Sequence, residues 1–272
     1  MTTVTLLHPG AMGASIGSAL IQNGHTVLWV SEERSQTTKQ RAADAGLEES
    51  EFRTALNRAD VVISVTPPGV AVSVAAEVAD EGFDGVYVDM NAVAPQSATQ
   101  MAALFPQFVD GGIVGPPAWE RGTTRLGLSG PRTTEVESLF AGSTIETIDL
   151  GPEIGKASAF KVGFAAWTKG SGALLLLVCA YARSQGVESE LFQEWERRGM
   201  GMETKSTTVA QQMGPKSWRF GDEMREISEA VEAAGLGTGL FKHAAATFDR
   251  LAHLKNATDR PPTLEEVTRD LL

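Results

Sequence analysis

A single cysteine in 272 residues is the first constraint on this chain. Cys179 alone forms no intramolecular disulfide and no zinc site of the CxxC type, and it fits a reducing cytoplasm. Positive charge is also scarce: 23 Lys and Arg against 34 Asp and Glu leave a net charge of -11. A general basic face for nucleic acid is thereby excluded, because phosphate contacts need clustered cations. A small anionic cofactor is not excluded, since backbone N–H groups and a few local cations suffice to hold it. Long apolar runs are missing too. The richest, GALLLLVCAYA (172–182), falls short of the ~20 residues a bilayer needs and reads as part of a buried helix, so no membrane partner is expected. The opening MTTVTLLHPG lacks the basic and apolar regions of a signal peptide, so a cytoplasmic location is expected. No nucleophile motif and no metal-ligand spacing occurs, and His243 and His253 read as structural, without a paired acid.

What is present is periodicity. Short β-branched runs, TVTLL (3–7), HTVLWV (25–30), DVVISVTP (60–67), GVYVDMN (85–91) and FVDGGIVG (108–115), alternate with amphipathic stretches. That alternation predicts a doubly wound parallel sheet, with TRLGLSG and TIETIDL as late edge strands. After Leu150 no strand pattern recurs. The Gly and Pro of LGPEIG (150–155) mark a boundary, giving an α/β Rossmann domain over 1–152 and an all-α domain over 153–272. A helix from Lys156 to Gln185, about 45 Å long at ~1.5 Å per residue, joins the two. Thr263 reads as the N-cap of a short closing helix.

The stretch LLHPGAMGASIG (6–17) follows the first strand and opens the first helix. In the fingerprint G-x-G-x-x-G, glycines permit a tight turn, close approach of pyrophosphate, and close helix packing. Gly10 and Gly13 hold the second and third places, and His8 stands at the first. His8, Pro9, Gly10, Ala11, Met12 and Gly13 are therefore the candidate pyrophosphate turn, with the helix N-terminus behind it. Ser31 ends the second strand where an NAD site wants a carboxylate; with Arg34, Ser35 and Arg41 it suits a 2′-phosphate. NADP is favoured over NAD, for which Glu32 or Glu33 would serve. Thr66 and Pro67, closing the third apolar strand, and Asn91 complete the cofactor set.

HPGAMG, DMNAVAP (89–95), DGGIVG (110–115) and GKASAFK (155–161) follow in the order and spacing of the β-hydroxyacid dehydrogenases. The chain resembles that superfamily, which includes 3-hydroxyisobutyrate dehydrogenase, 6-phosphogluconate dehydrogenase and the imine reductases. KVGFAAWTKGSGALL and KSWRFGDEMREI resemble the C-terminal domain of unknown function in its phosphogluconate-dehydrogenase-like branch. The resemblance implies Lys161 as catalytic lysine, six residues after Gly155, with Ala157 in place of the motif's second glycine. The family's Asn is Ala165 here, and Thr168 and Lys169 are candidates to replace it. Asp110-Gly-Gly112-Ile-Val114-Gly115 matches the substrate-carboxylate segment, with Val114 where the family has Ser. Asn91 falls near the nicotinamide ribose and substrate. Glu223 matches the Asp of a Lys-Asp pair whose Lys is replaced by Asp222. A homodimer, with the active site between domains, is also implied.

The chemistry expected is interconversion of a hydroxyl and a carbonyl by hydride transfer, Lys161 giving or taking the proton. Loss of the carboxylate Ser points to a small-molecule substrate other than a short hydroxyacid. Trp218 is kept as a pocket residue, while Trp119, Trp167 and Trp195 are assigned to packing. Two alternatives stay open: an imine reductase on the same fold, and a non-catalytic dinucleotide-binding or redox-sensing protein.

Overall fold

The computed structural model describes residues 1–32, 34–256 and 260–272. The chain divides into two compact units, Met1–Val162 and Gly163–Leu272.

The first unit contains every strand among the described residues. Its elements in order are β1 (Thr3–Leu7), α1 (Ala11–Gln22), β2 (Thr26–Val30), α2 (Gln36–Asp44), β3 (Glu48–Ser50), α3 (Phe52–Arg58), β4 (Val61–Ser64), α4 (Ala71–Asp80), β5 (Val86–Asp89), α5 (Pro95–Ala102), β6 (Phe108–Val114), β7 (Thr124–Ser129), α6 (Thr133–Phe140) and β8 (Ile145–Asp149). They form one sheet of order β3-β2-β1-β4-β5-β6-β7-β8. Chain direction across the sheet reverses between β1 and β4, the place where doubly wound folds open a crevice outside the carboxyl ends of their strands.

Alternate strand residues feed two apolar layers. Leu6, Ile63 and Val88 join Ile16 and Leu20 on one face; Leu7, Val62 and Tyr87 join Met101 and Phe105 on the other. Burial on both faces explains why these strands are apolar throughout rather than alternating.

Two details depart from the sequence reading. The sheet is mixed: β7 runs antiparallel to β6 and lies inside the sheet, so β8 alone of the late pair is an edge. The connection 115–123 is the cause, being too short for the crossover that parallel neighbours need. At the other edge, β3 is only Glu-Glu-Ser and carries no apolar signal to be read.

A long helix, α7 (Lys156–Ser184), runs through the division at residue 162. By length and composition alone it is apolar enough to cross a membrane, but Leu175, Leu176, Cys179 and Ala180 lie in the core of the second unit. That unit continues with α8 (Glu188–Arg197), α9 (Met202–Met213), α10 (Ser217–Ala233), α11 (Gly239–Arg250) and α12 (Leu264–Asp270). Phe220 and Phe248 meet edge to face at 5.3 Å between α10 and α11. Thr263 caps α12 in a reciprocal box with Glu266, an arrangement that contributes about 1 kcal/mol. Two assignments are corrected here: Trp119 and Trp167 are exposed rather than packed, and His253 does have an acid, Asp270, at 2.9 Å.

Candidate cofactor and catalytic site

The turn after β1 adopts the geometry of a glycine turn without its first glycine. His8 has φ +64°, and it is the one non-glycine residue with positive φ among those described. The left-handed conformation that glycine would take without strain is thus kept by a histidine. His8 O accepts from Gly10 N at 2.7 Å, closing the turn around buried Pro9. A Cβ on Gly13 would lie 2.9 Å from His8 O, so glycine there is what lets α1 start this close to β1. Gly10 faces open space within 4 Å, and Ala11 beside it is exposed while Met12 is partly covered. Room for a ligand exists where the fingerprint requires it.

Beside the turn lies a 280 Å³ cavity lined by His8, Val30, Glu32, Arg34, Phe52 and Glu77, among others. His8 Nδ1 and Arg34 Nε are buried there without a hydrogen-bond partner. Burial, with the Arg34 cation adding to it, pushes the His8 imidazole down to about 4, so the ring is neutral at physiological pH. The cation of the cavity is Arg34. Glu32 is directed at α3, its carboxylate accepting from Phe52 N at 3.3 Å. Ser35 Oγ is occupied as the N-cap of α2, accepting from Thr38 N at 3.2 Å, and Ser31 is partly buried beside it. Arg41 sits in the last turn of α2, and Glu33 lies outside the described residues. A cavity at the end of β2 that Arg34 helps to line, next to an open Gly turn, fits the sugar-phosphate half of a dinucleotide.

At the ends of β4 and β5 the polar groups serve one another. Asn91 is only 2% exposed. Its Oδ1 accepts from Thr66 N, and its Nδ2 donates to Ser64 Oγ at 3.1 Å and to Asp89 Oδ1. The side chain expected at the nicotinamide ribose thus ties the Thr66–Pro67 loop to β5; Pro67 itself is exposed. Burial pushes the Asp89 carboxyl up to about 8; the Asp110 charge adds to this and Asn91's hydrogen bonds oppose it. Nothing in the sequence pattern announced this network except the spacing of Asp89 and Asn91, two residues apart.

Lys161 lies on the first turns of α7, partly buried and engaged within the protein. Below it is Gly112 of β6, where a Cβ would overlap Ala157 O and lie 3.1 Å from Lys161 Cβ. Val114 and Gly115 follow at the strand end, Val114 half-buried and Gly115 exposed with φ +127°.

The remaining predicted residues belong to the second unit. Ala165 is buried, and Thr168 Oγ1 donates to Phe164 O at 2.9 Å along its own helix. Lys169 pairs with Glu223 at 2.7 Å and stands 5.1 Å from the Phe220 ring centroid. Glu223 therefore does have a lysine, supplied by α7 rather than by its sequence neighbour. Trp218 is half exposed, with Lys255 Nζ 4.1 Å above its ring.

A domain described as NADP oxidoreductase, coenzyme F420-dependent, matches residues 3–93, and the domain of unknown function DUF1932 matches residues 182–251. An uncharacterized 28.5 kDa protein from Methanothermus fervidus is 29% identical over 164 residues. That match covers 59% of this chain and 63% of the relative, less than two thirds of its length. Among solved structures, a conserved protein of unknown function, described as structurally similar to 3-hydroxyacid dehydrogenases, has a TM-score of 0.72 at 26% identity, covering 93% of this chain and 98% of that one. Mycobacterium tuberculosis 3-hydroxyisobutyrate dehydrogenase with L-serine has a TM-score of 0.70 at 20% identity, covering 100% and 99%. A reductive aminase from Aspergillus terreus, in a complex containing cyclohexanone and allyl amine, scores 0.58 at 15% identity over the full length of both chains. The order of the two domain matches and the 3-hydroxyisobutyrate-dehydrogenase-like fold support the β-hydroxyacid dehydrogenase superfamily for this chain, in the branch carrying DUF1932 at the C-terminal side.

Proposed function

We propose that the chain is an NADP-dependent oxidoreductase that interconverts a hydroxyl and a carbonyl, with Lys161 as general acid/base. The observation that carries this reading is the open Gly10 turn beside a cavity lined by Arg34 and a neutral His8. Residues 1–152 hold the cofactor and 153–272 serve substrate binding and dimerisation. The turn 8–13 takes the pyrophosphate on the N-terminus of α1, and Arg34, with Ser31 and Ser35 alongside, takes the ribose phosphate. A bound nicotinamide supplies the hydride on reduction and receives it on oxidation.

The protein's own contribution is the proton. On reduction the Lys161 ammonium donates to the alkoxide forming at the carbonyl oxygen; on oxidation the amine removes the hydroxyl proton. Val114 has no hydroxyl to offer a substrate carboxylate, which favours a less polar substrate than a short hydroxyacid. Lys161 also weighs for carbonyl over imine reduction, since the family resemblance implies that imine reductases usually carry Asp or Tyr at that place. Homodimer formation is supported by the exposed Trp167, Leu174 and Tyr181, seven residues apart on α7.

Titration of the tryptophan fluorescence with NADPH and NADH tests the cofactor first. NADPH binds more tightly, and Arg34→Ala weakens it by about tenfold or more, as loss of a charge-assisted phosphate contact requires. Absence of binding by either nucleotide would sink the reading. Turnover of carbonyl substrates that disappears in Lys161→Ala, with NADPH binding retained, separates an enzyme from a sensor.

A further inference from the structure

Asp110 is completely buried in β6 and spends its carboxylate on the beginning of α7. One oxygen accepts from Ser158 Oγ at 2.6 Å. The other accepts from Gly155 N, Ser158 N and Ser129 Oγ, each at 3.0 Å. Ser129 Oγ in turn accepts from Ala157 N at 3.0 Å. Three backbone N–H groups at the helix N-terminus, which have no partner inside the helix, are thus satisfied from the sheet.

A helix is ordinarily capped by the residue just before it, which fixes where the helix starts but not how far it stands from its neighbours. Here the cap lies 45 and 48 residues away in sequence, within a strand interior. It fixes both start and distance. Gly112, two residues along β6 and so on the same strand face, lacks the side chain that would hold the helix off. Ser158 and Lys161 are three apart on α7 and share a helix face. Strand residues 110 and 112 therefore meet helix residues 157, 158 and 161 in one small contact, with the anchor at one end and Lys161 at the other.

We propose that Asp110 is a positioning residue: through Ser158 and the first turn of α7 it sets where the Lys161 ammonium stands. The inference rests on the reading of Lys161 as the proton donor. A buried carboxylate is costly to desolvate, and four donors together with the positive end of the helix compensate it. The 2.6 Å bond from Ser158 Oγ has the length of a charge-assisted hydrogen bond and is the tightest link between strand and helix. Displacement of a catalytic group by about 1 Å can cost on the order of 100-fold in rate.

The test uses Asp110→Asn and the milder Ser158→Ala, which keeps every backbone hydrogen bond of the anchor. Competitive acetylation with acetic anhydride across pH, read by mass spectrometry, reports the titration of Lys161, with Lys242 as an internal control. The expected result is a changed half-labelling pH at Lys161 in both variants, no change at Lys242, NADPH affinity within about twofold, and kcat lowered with KM little altered. Should Asp110→Asn fail to fold, Ser158→Ala carries the test. A wild-type labelling curve at Lys161 in folded variants would overturn the proposal. If labelling shifts while turnover survives Lys161→Ala, the role assigned to Lys161 falls, and with it the catalytic purpose of the anchor, although the positioning itself stands.

Discussion

Lys169 of α7 and Glu223 of α10 form an ion pair of 2.7 Å whose side chains are only 12% and 15% exposed. A pair so far removed from water is worth little over an apolar replacement, yet breaking it strands a charge. Glu223→Gln should therefore lower stability by about 2 kcal/mol, and Lys169→Met by a similar amount. The double variant should lose much less than the sum of the two. Urea unfolding of all four proteins gives the coupling directly, and strictly additive losses would mean the two side chains do not act as a pair.

Gly112→Ala tests how close α7 must come to the sheet. The added methyl would overlap Ala157 O and press on Lys161 Cβ at 3.1 Å, and both belong to a helix that Asp110 prevents from sliding away. Overpacking of this kind costs about 2 kcal/mol. The lysine it displaces is the proposed proton donor, so kcat should fall more than the stability loss alone explains. NADPH affinity, set at the other end of the sheet's carboxyl edge, should hold within about twofold. Unchanged turnover in a destabilised variant would separate the packing from the chemistry.

The His8 turn yields a cleaner comparison. Both His8→Ala and His8→Gly remove the ring, but alanine must still hold φ near +64° while glycine does so without steric cost. His8→Gly should be the more stable by about 1 kcal/mol, measured as the difference in unfolding free energy between the two variants. Each should still bind NADPH, because the imidazole, pushed down to about 4 by burial and Arg34, brings no charge to the site at neutral pH. If alanine and glycine prove equally stable, the left-handed turn is not populated in solution.

These residues also mark what the sequence could and could not reveal. Strands covered on both faces declare themselves by unbroken apolar runs, so β1, β2, β4, β5 and β6 were legible, and so was α7 from its length. The Gly10–Gly13 turn was legible because its constraint is local. β3 was not, since its pairing with β2 comes from the sheet rather than from Glu-Glu-Ser itself. The partner of Glu223 was hidden for a related reason: Lys169 precedes it by 54 positions and reaches it through tertiary packing, so no spacing rule connects them. Asp110 was visible as part of a motif, but its hold on the start of α7 exists only once β6 and α7 are side by side.

Asp89 is where pH should act on the fold. The carboxyl is completely buried, and burial, with the Asp110 charge adding to it, pushes it up to about 8 from the ordinary 3.8. Between those values the unfolded chain has given up the proton and the folded protein keeps it, so folding takes up a proton. Stability is therefore full below about pH 4 as far as this group is concerned, and it is lost as pH rises through about 8. From pH 6 to pH 8 the slope approaches about 1.4 kcal/mol per pH unit, for a loss of about 2 kcal/mol. Asp89→Asn keeps an oxygen to accept from Asn91 and cannot ionise, so its stability should change far less over that interval. Urea midpoints for both proteins at pH 6, 7 and 8 decide the matter. Parallel profiles would mean that Asn91's hydrogen bonds outweigh burial and that Asp89 is already ionised in the folded protein.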